Sequence, residues 1–172
     1  MSANTIKDIS EKIVKASEEL YAHGLVKGTS GNISARIPGT DTFLIKPSGV
    51  CMGRLKPEEL VLVDFEGNKI RGKRNVSAET PMHAAIYRAR KDVQAVVHTH
   101  APTATAFGIA GTEILPLQIE VFMLFPRGVP IIPFKQPGSK ALAEAVQKKI
   151  VEYNAVILEN HGIVTVGSTI EA

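Results

Sequence analysis

The stretch Ala95-Val96-Val97-His98-Thr99-His100-Ala101-Pro102 decides how the rest of the chain is read. Three small or branched apolar residues lead into His-Thr-His, and a proline follows two positions later. Strand side chains alternate with a period of two, so His98 and His100 point to one face. Two imidazoles at that spacing can share one divalent ion, and neutral imidazole is the commonest protein ligand for zinc. A third histidine lies downstream in Glu159-Asn160-His161-Gly162, at the end of a second apolar strand, Ala155-Val156-Ile157-Leu158. Three histidines leave a fourth position open, as in a catalytic rather than a structural zinc centre. An acidic candidate, Glu79, stands upstream in Ser77-Ala78-Glu79-Thr80-Pro81. A lone histidine at a strand end is ordinarily a capping residue. His-x-His together with a second strand-end His-Gly is what favours a metal site.

Working outward, 172 residues with 44% hydrophobic and 22% charged content suit one globular domain, spanning 1–172, with a core of its own. The formal charge is only +3, lysine and arginine are dispersed and aromatics are few, which argues against a nucleic-acid surface. The mild basic excess suits a phosphorylated substrate instead. The single cysteine, Cys51, rules out an intramolecular disulfide framework and agrees with a reducing compartment. The amino terminus lacks a basic-then-apolar signal pattern, and the greasy region Ile114 to Phe125 is interrupted by Pro116, Gln118 and Glu120. A cytoplasmic protein with no membrane span is expected.

Residues 5–23 carry Ile6, Ile9, Ile13 and Leu20 at helical spacing, with Gly24 as a stop. Lys27 to Ser34 is dense in glycine and hydroxyl residues, a loop able to bring several backbone amides to one point as a phosphate nest does, although a plain turn reads equally well. Phe43-Leu44-Ile45 reads as a strand running into Lys46-Pro47-Ser48-Gly49, a turn with a cation and a hydroxyl. Pro57 opens a helix, Val61–Asp64 is a strand, and Glu66-Gly67-Asn68 turns into another near Lys69-Ile70. Residues 79–91 read as a helix on which Glu79 and His83, four apart, share a face; His83 reads as a buried structural histidine rather than a ligand. Helices are also expected from Pro102 to Gly108 and from Gly138-Ser139 to Tyr153. Val129–Phe134 reads as an irregular edge strand because of its two prolines, and Ile163–Val166 as a closing strand. The pattern predicts an α/β layered domain with a mixed sheet.

Five motifs, Gly28-Thr29-Ser30-Gly31-Asn32-Ile33-Ser34, Lys46-Pro47-Ser48-Gly49, Ser77-Ala78-Glu79-Thr80-Pro81-Met82-His83, His98-Thr99-His100 and Glu159-Asn160-His161-Gly162, stand in the order seen in class II aldolase/adducin proteins. Over essentially its whole length the chain resembles that family. The resemblance implies a mixed, largely antiparallel central sheet flanked by helices, and a homotetramer with active sites at subunit interfaces. It implies Zn2+, or another divalent transition metal, on His98, His100 and His161, and Glu79 as the acid/base residue, which can also occupy the metal when substrate is absent. It places the substrate phosphate among Ser30, Gly31, Asn32, Ser48, Gly49 and Ser77. The implied activity is a carbon–carbon lyase cleaving a phosphorylated ketose of the L-fuculose 1-phosphate type to dihydroxyacetone phosphate and an aldehyde through an enediolate. The same scaffold serves pentulose-phosphate 4-epimerases, methylthioribulose-phosphate dehydratases, sugar-acid-phosphate decarboxylases and non-catalytic adducin-head modules. Residues 113–128 hold no additional His or Asp of the epimerase kind, which favours the aldolase. Two departures stand out: Ala78 occupies the place of a second phosphate-binding serine, and Ala172 follows His161 closely where longer relatives add a segment bearing a tyrosine.

Overall fold

The computed structural model describes residues 3–171. Its first element is the amphipathic helix α1 (Ala3–Ala22), whose Ile9 and Ile13 are buried. The strands are β1 (Asn32–Arg36), β2 (Thr42–Ile45), β3 (Val61–Asp64), β4 (Lys69–Arg71), β5 (Ala95–Thr99), β6 (Ile131–Ile132), β7 (Ala155–Leu158) and β8 (Gly162–Gly167). Helices α2 (Thr80–Ala89), α3 (Pro102–Ile109), α4 (Ile119–Leu124) and α5 (Lys140–Ile150) complete the chain, with single 3-10 turns at Met52–Arg54 and Pro57–Glu59. The strands form one sheet in the order β4-β3-β2-β1-β5-β8-β7-β6. Neighbours are antiparallel except β6 with β7, so the sheet is mixed and mostly antiparallel, as expected. The proline-flanked β6 lies on an edge, where a missing N–H breaks no ladder.

Alternation builds three layers. Val156 and Leu158 of β7 pack with Val96, Val164 and Phe43 beneath α2 and α5, whereas Ala155 and Ile157 face the opposite side with Val129. On that opposite side Ile33, Ala35, Leu44 and Leu62 meet α1. Register therefore assigns Asn32, Ser34 and His98 to the α2 side, because Asn32 pairs with His98 and Ser34 with Val96.

Several expected boundaries shift. The glycine-rich loop ends at Gly31, and Asn32–Arg36 is a central strand that a loop reading of residues 27–34 misses. The helix expected at Pro57 is one 3-10 turn, α2 ends at Ala89 and α5 ends at Ile150. Tyr153 thus follows its helix rather than lying on it. Among the described residues no helix is long and apolar enough to cross a membrane.

Candidate active site

Every sequence motif reaches the same end of the sheet. β5 ends at Thr99, and His100 follows one residue later with the strand's alternation preserved. The Nε2 atoms of His98 and His100 are 3.2 Å apart. β8 begins at Gly162 beside β5, where Thr99 pairs with Ile163. A methyl group on Gly162 would collide with the Thr99 carbonyl and reach the His100 ring at 3.1 Å, so only glycine lets this turn seat His161 against the other two histidines. Asn160, at φ 57°, supplies the left-handed residue of the turn, a conformation asparagine tolerates. The three rings lie 4.7–5.1 Å apart, and their ligand nitrogens fall within 4.8 Å of one another.

Glu79 caps α2, yet its side chain makes no capping bond. The carboxylate turns into the histidine cluster, with Oε2 3.2 Å from His98 Nε2 and Oε1 3.6 Å from His161 Nε2. Asn32 Nδ2 donates to Oε2 at 2.8 Å, while Oε1 is buried without a hydrogen-bond partner.

The donor set fits a divalent metal. His98 Nδ1–H donates to the Ile163 carbonyl at 3.0 Å, which fixes the tautomer and turns the Nε2 lone pair inward. Burial, reinforced by the neighbouring imidazoles, pushes the His98 pKa down to about 3, and burial lowers that of His100 as well. Imidazole nitrogens converging beside a carboxylate oxygen that has no hydrogen-bond partner are what a metal centre requires and what a hydrogen-bonded core avoids.

Of the six residues expected at phosphate, five lie on three adjoining loops and Asn32 opens β1 directly after the first of them. Buried Lys46 ties two of them together by donating to the carbonyls of Thr29 and Gly31, each at 3.1 Å. Ser48 N–H donates to Asn75 O at 3.1 Å and joins the third loop, which carries Ser77. Gly31 and Gly49 have φ of 68° and 72°; at Gly31 a Cβ would lie 2.8 Å from the His98 carbonyl, so the loop abuts the histidine-bearing strand. Ser30 Oγ is engaged within its own turn, donating to Lys27 O at 2.6 Å. The Asn32 amide is held by Glu79 and His83 rather than being open to phosphate. Ala78 is exposed, and its carbonyl packs against Gly138 before α5.

His83 is fully buried, in agreement with its structural reading, but it is bonded into the site through Asn32. Lys46, Ser34 and Tyr87 are additions to the expected set. A lysine directly after the apolar run Phe43-Leu44-Ile45 was the available signal for Lys46, and Ser34 closes the first of the five motifs; nothing comparable marks Tyr87. Burial pushes the Lys46 pKa from 10.5 to about 8. Its folded value lies below the unfolded one, so between those pH values the unfolded chain binds the extra proton and native stability rises with pH. In urea titrations, wild type is expected to gain up to about 3 kcal/mol on Lys46→Met across that window. A pH-independent difference would refute the shift.

Residues 11–172 match the family model described as Class II Aldolase and Adducin N-terminal domain. The chain is 37% identical over 163 residues, 95% of its length and 75% of the relative's, to the 5-methylthioribulose-1-phosphate/5-deoxyribulose-1-phosphate aldolase of Escherichia coli O45:K1. It is 31% identical over 171 residues, 97% of its length and 77% of the relative's, to the 3-oxo-tetronate 4-phosphate decarboxylase of Cupriavidus necator. Among solved structures, L-fuculose-1-phosphate aldolase from Thermus thermophilus superimposes with a TM-score of 0.83 at 32% identity, covering 94% of this chain and 80% of that one. Histidine cluster, acidic cap, fold and sequence agree, and the chain belongs to the class II aldolase/adducin family of enzymes.

Proposed function

We propose that this chain is a metal-dependent aldolase that cleaves a phosphorylated ketose to dihydroxyacetone phosphate and an aldehyde. The observation that carries this is Glu79, set against the imidazoles of His98 and His161 with Oε1 free of any hydrogen bond. A divalent metal on His98, His100 and His161, zinc by the chemistry of the donors, supplies Lewis-acid polarisation of a substrate carbonyl. Glu79 takes the proton from the carbon beside that carbonyl, or returns it in cleavage. Ser48 and Ser77 offer hydroxyls and the left-handed Gly31 and Gly49 their backbone to the phosphate, with Ser30 and Asn32 shaping the same loops. Binding at the phosphate then positions the reacting end.

The relatives point to L-fuculose 1-phosphate, 5-deoxyribulose 1-phosphate and 5-methylthioribulose 1-phosphate as the ketoses to compare. Incubation of metal-replete protein with each is expected to release dihydroxyacetone phosphate, and a chelator is expected to stop it. Carbon dioxide from 3-oxo-tetronate 4-phosphate, with no dihydroxyacetone phosphate from any ketose, would move the assignment to the decarboxylases.

Assembly as a homotetramer with sites at the interfaces belongs to the same proposal. Leu117, Met123, Ile109 and Ile119 are 85%, 75%, 68% and 65% exposed, and they cluster on or beside α3 and α4. Apolar surface concentrated in this way marks a protein contact. Light scattering is expected to give a tetramer mass for wild type and a smaller one for Leu117→Lys with Met123→Lys. A monomeric wild type would remove the assembly.

A further inference from the structure

Behind Glu79 lies a line of buried polar side chains that no step of the proposed reaction uses. Asn32 is 4% exposed, Ser34 and His83 are inaccessible, and Tyr87 is 1% exposed. Asn32 Nδ2 lies 2.8 Å from Glu79 Oε2, Asn32 Oδ1 contacts His83 Nε2, His83 Nδ1 lies 2.7 Å from Ser34 Oγ, and Ser34 Oγ lies 2.8 Å from the Tyr87 hydroxyl.

The direction of every bond follows from the carboxylate. A carboxylate oxygen only accepts, so Asn32 must present its NH2 to Glu79 and its carbonyl to His83. His83 Nε2 must then carry the proton. Burial holds the His83 pKa down at about 3, so the ring is neutral and Nδ1 is an acceptor. Ser34 therefore donates to Nδ1 and accepts from Tyr87. All four donors point towards Glu79.

We infer that His83, Ser34 and Tyr87 are positioning residues for Glu79: through Asn32 they grip one carboxylate oxygen with a hydrogen-bond chain of fixed polarity and leave the other free to take the proton. The far end is anchored. Tyr87 packs against Phe43 and Phe65, with ring centroids 5.0 and 5.8 Å away. The Arg36 guanidinium sits over the Tyr87 ring at 5.1 Å and donates to the carbonyls of Tyr87, Val93 and Arg90. A base whose supporting shell is locked by packing and hydrogen bonds needs no reorganisation at the moment of proton transfer.

The inference rests on Glu79 being the base, and its test separates the two. In metal-free wild type, nitrogen NMR of the His83 ring is expected to show the proton on Nε2 and none on Nδ1 between about pH 5 and 8. A proton on Nδ1 would overturn the chain however active the enzyme is. In the metal-replete protein, Ser34→Ala is expected to lower kcat about 10- to 100-fold with KM and bound metal unchanged. Ser34→Thr, which restores the hydroxyl, is expected to recover most of that loss. Wild-type kcat in Ser34→Ala, or a loss confined to KM, overturns the positioning role. An inactive wild type with the Nε2 tautomer in place counts against Glu79 as base, and the positioning role falls with it.

Discussion

Glu79→Gln is expected to lower kcat by about 10²- to 10⁴-fold while the protein keeps its fold and its metal. Glutamine has the same shape, so its carbonyl oxygen can still accept from Asn32 Nδ2, the bond that Glu79 Oε2 makes at 2.8 Å. His98 takes its orientation from the Ile163 carbonyl rather than from the carboxylate. Proton abstraction is what disappears. Exchange of solvent deuterium into dihydroxyacetone phosphate isolates that half-reaction, and it is expected to fall in parallel with kcat. Full exchange in Glu79→Gln would require another base. Among the described residues no other acidic side chain lies in the cluster.

His98→Ala is expected to empty the metal centre and to lower activity more than about 10³-fold, since the polarisation it removes amounts to several kcal/mol. His98 is fully buried on the α2 side of the sheet, and its loss leaves a void and removes the bond to the Ile163 carbonyl. That costs about 2–5 kcal/mol of stability in addition. His100→Ala separates the two effects. Its ring is partly exposed, so it is expected to lose metal and activity to the same extent with a smaller fall in Tm. Elemental analysis for bound metal, read beside the melting curve, checks both variants. Normal turnover by His98→Ala would end the metal argument.

Where hydrophobic alternation and glycine placement act locally, the sequence speaks for itself. Val96 and His98, and Val156 and Leu158, announce strands whose faces the structure confirms, and the motif order places all three histidines and Glu79 together. β1 is different. Asn32 and Ser34 are polar residues on a buried face, and they read as loop because their partners, Glu79, His83 and Tyr87, are supplied by a helix far along the chain. The same absence of a local signal hides the true engagement of the Asn32 amide. Residues 113–128 resist reading for another reason: α4 is apolar, yet none of its residues is buried, so packing against the described residues does little to dictate its form.

The pairing of β5 with β8 also sets an order of events in folding. His98 lies on β5 and His161 in the turn that leads into β8, and three helices, a short edge strand and β7 intervene. Closing so long a loop carries an entropic cost that must be met before the third nitrogen arrives. A cation therefore finds no complete cage on the unfolded chain and cannot serve as the nucleus, unlike the ion of a zinc finger. A divalent ion held by these histidines would capture the finished sheet and is expected to raise the melting temperature by mass action, with folding first and ligation second.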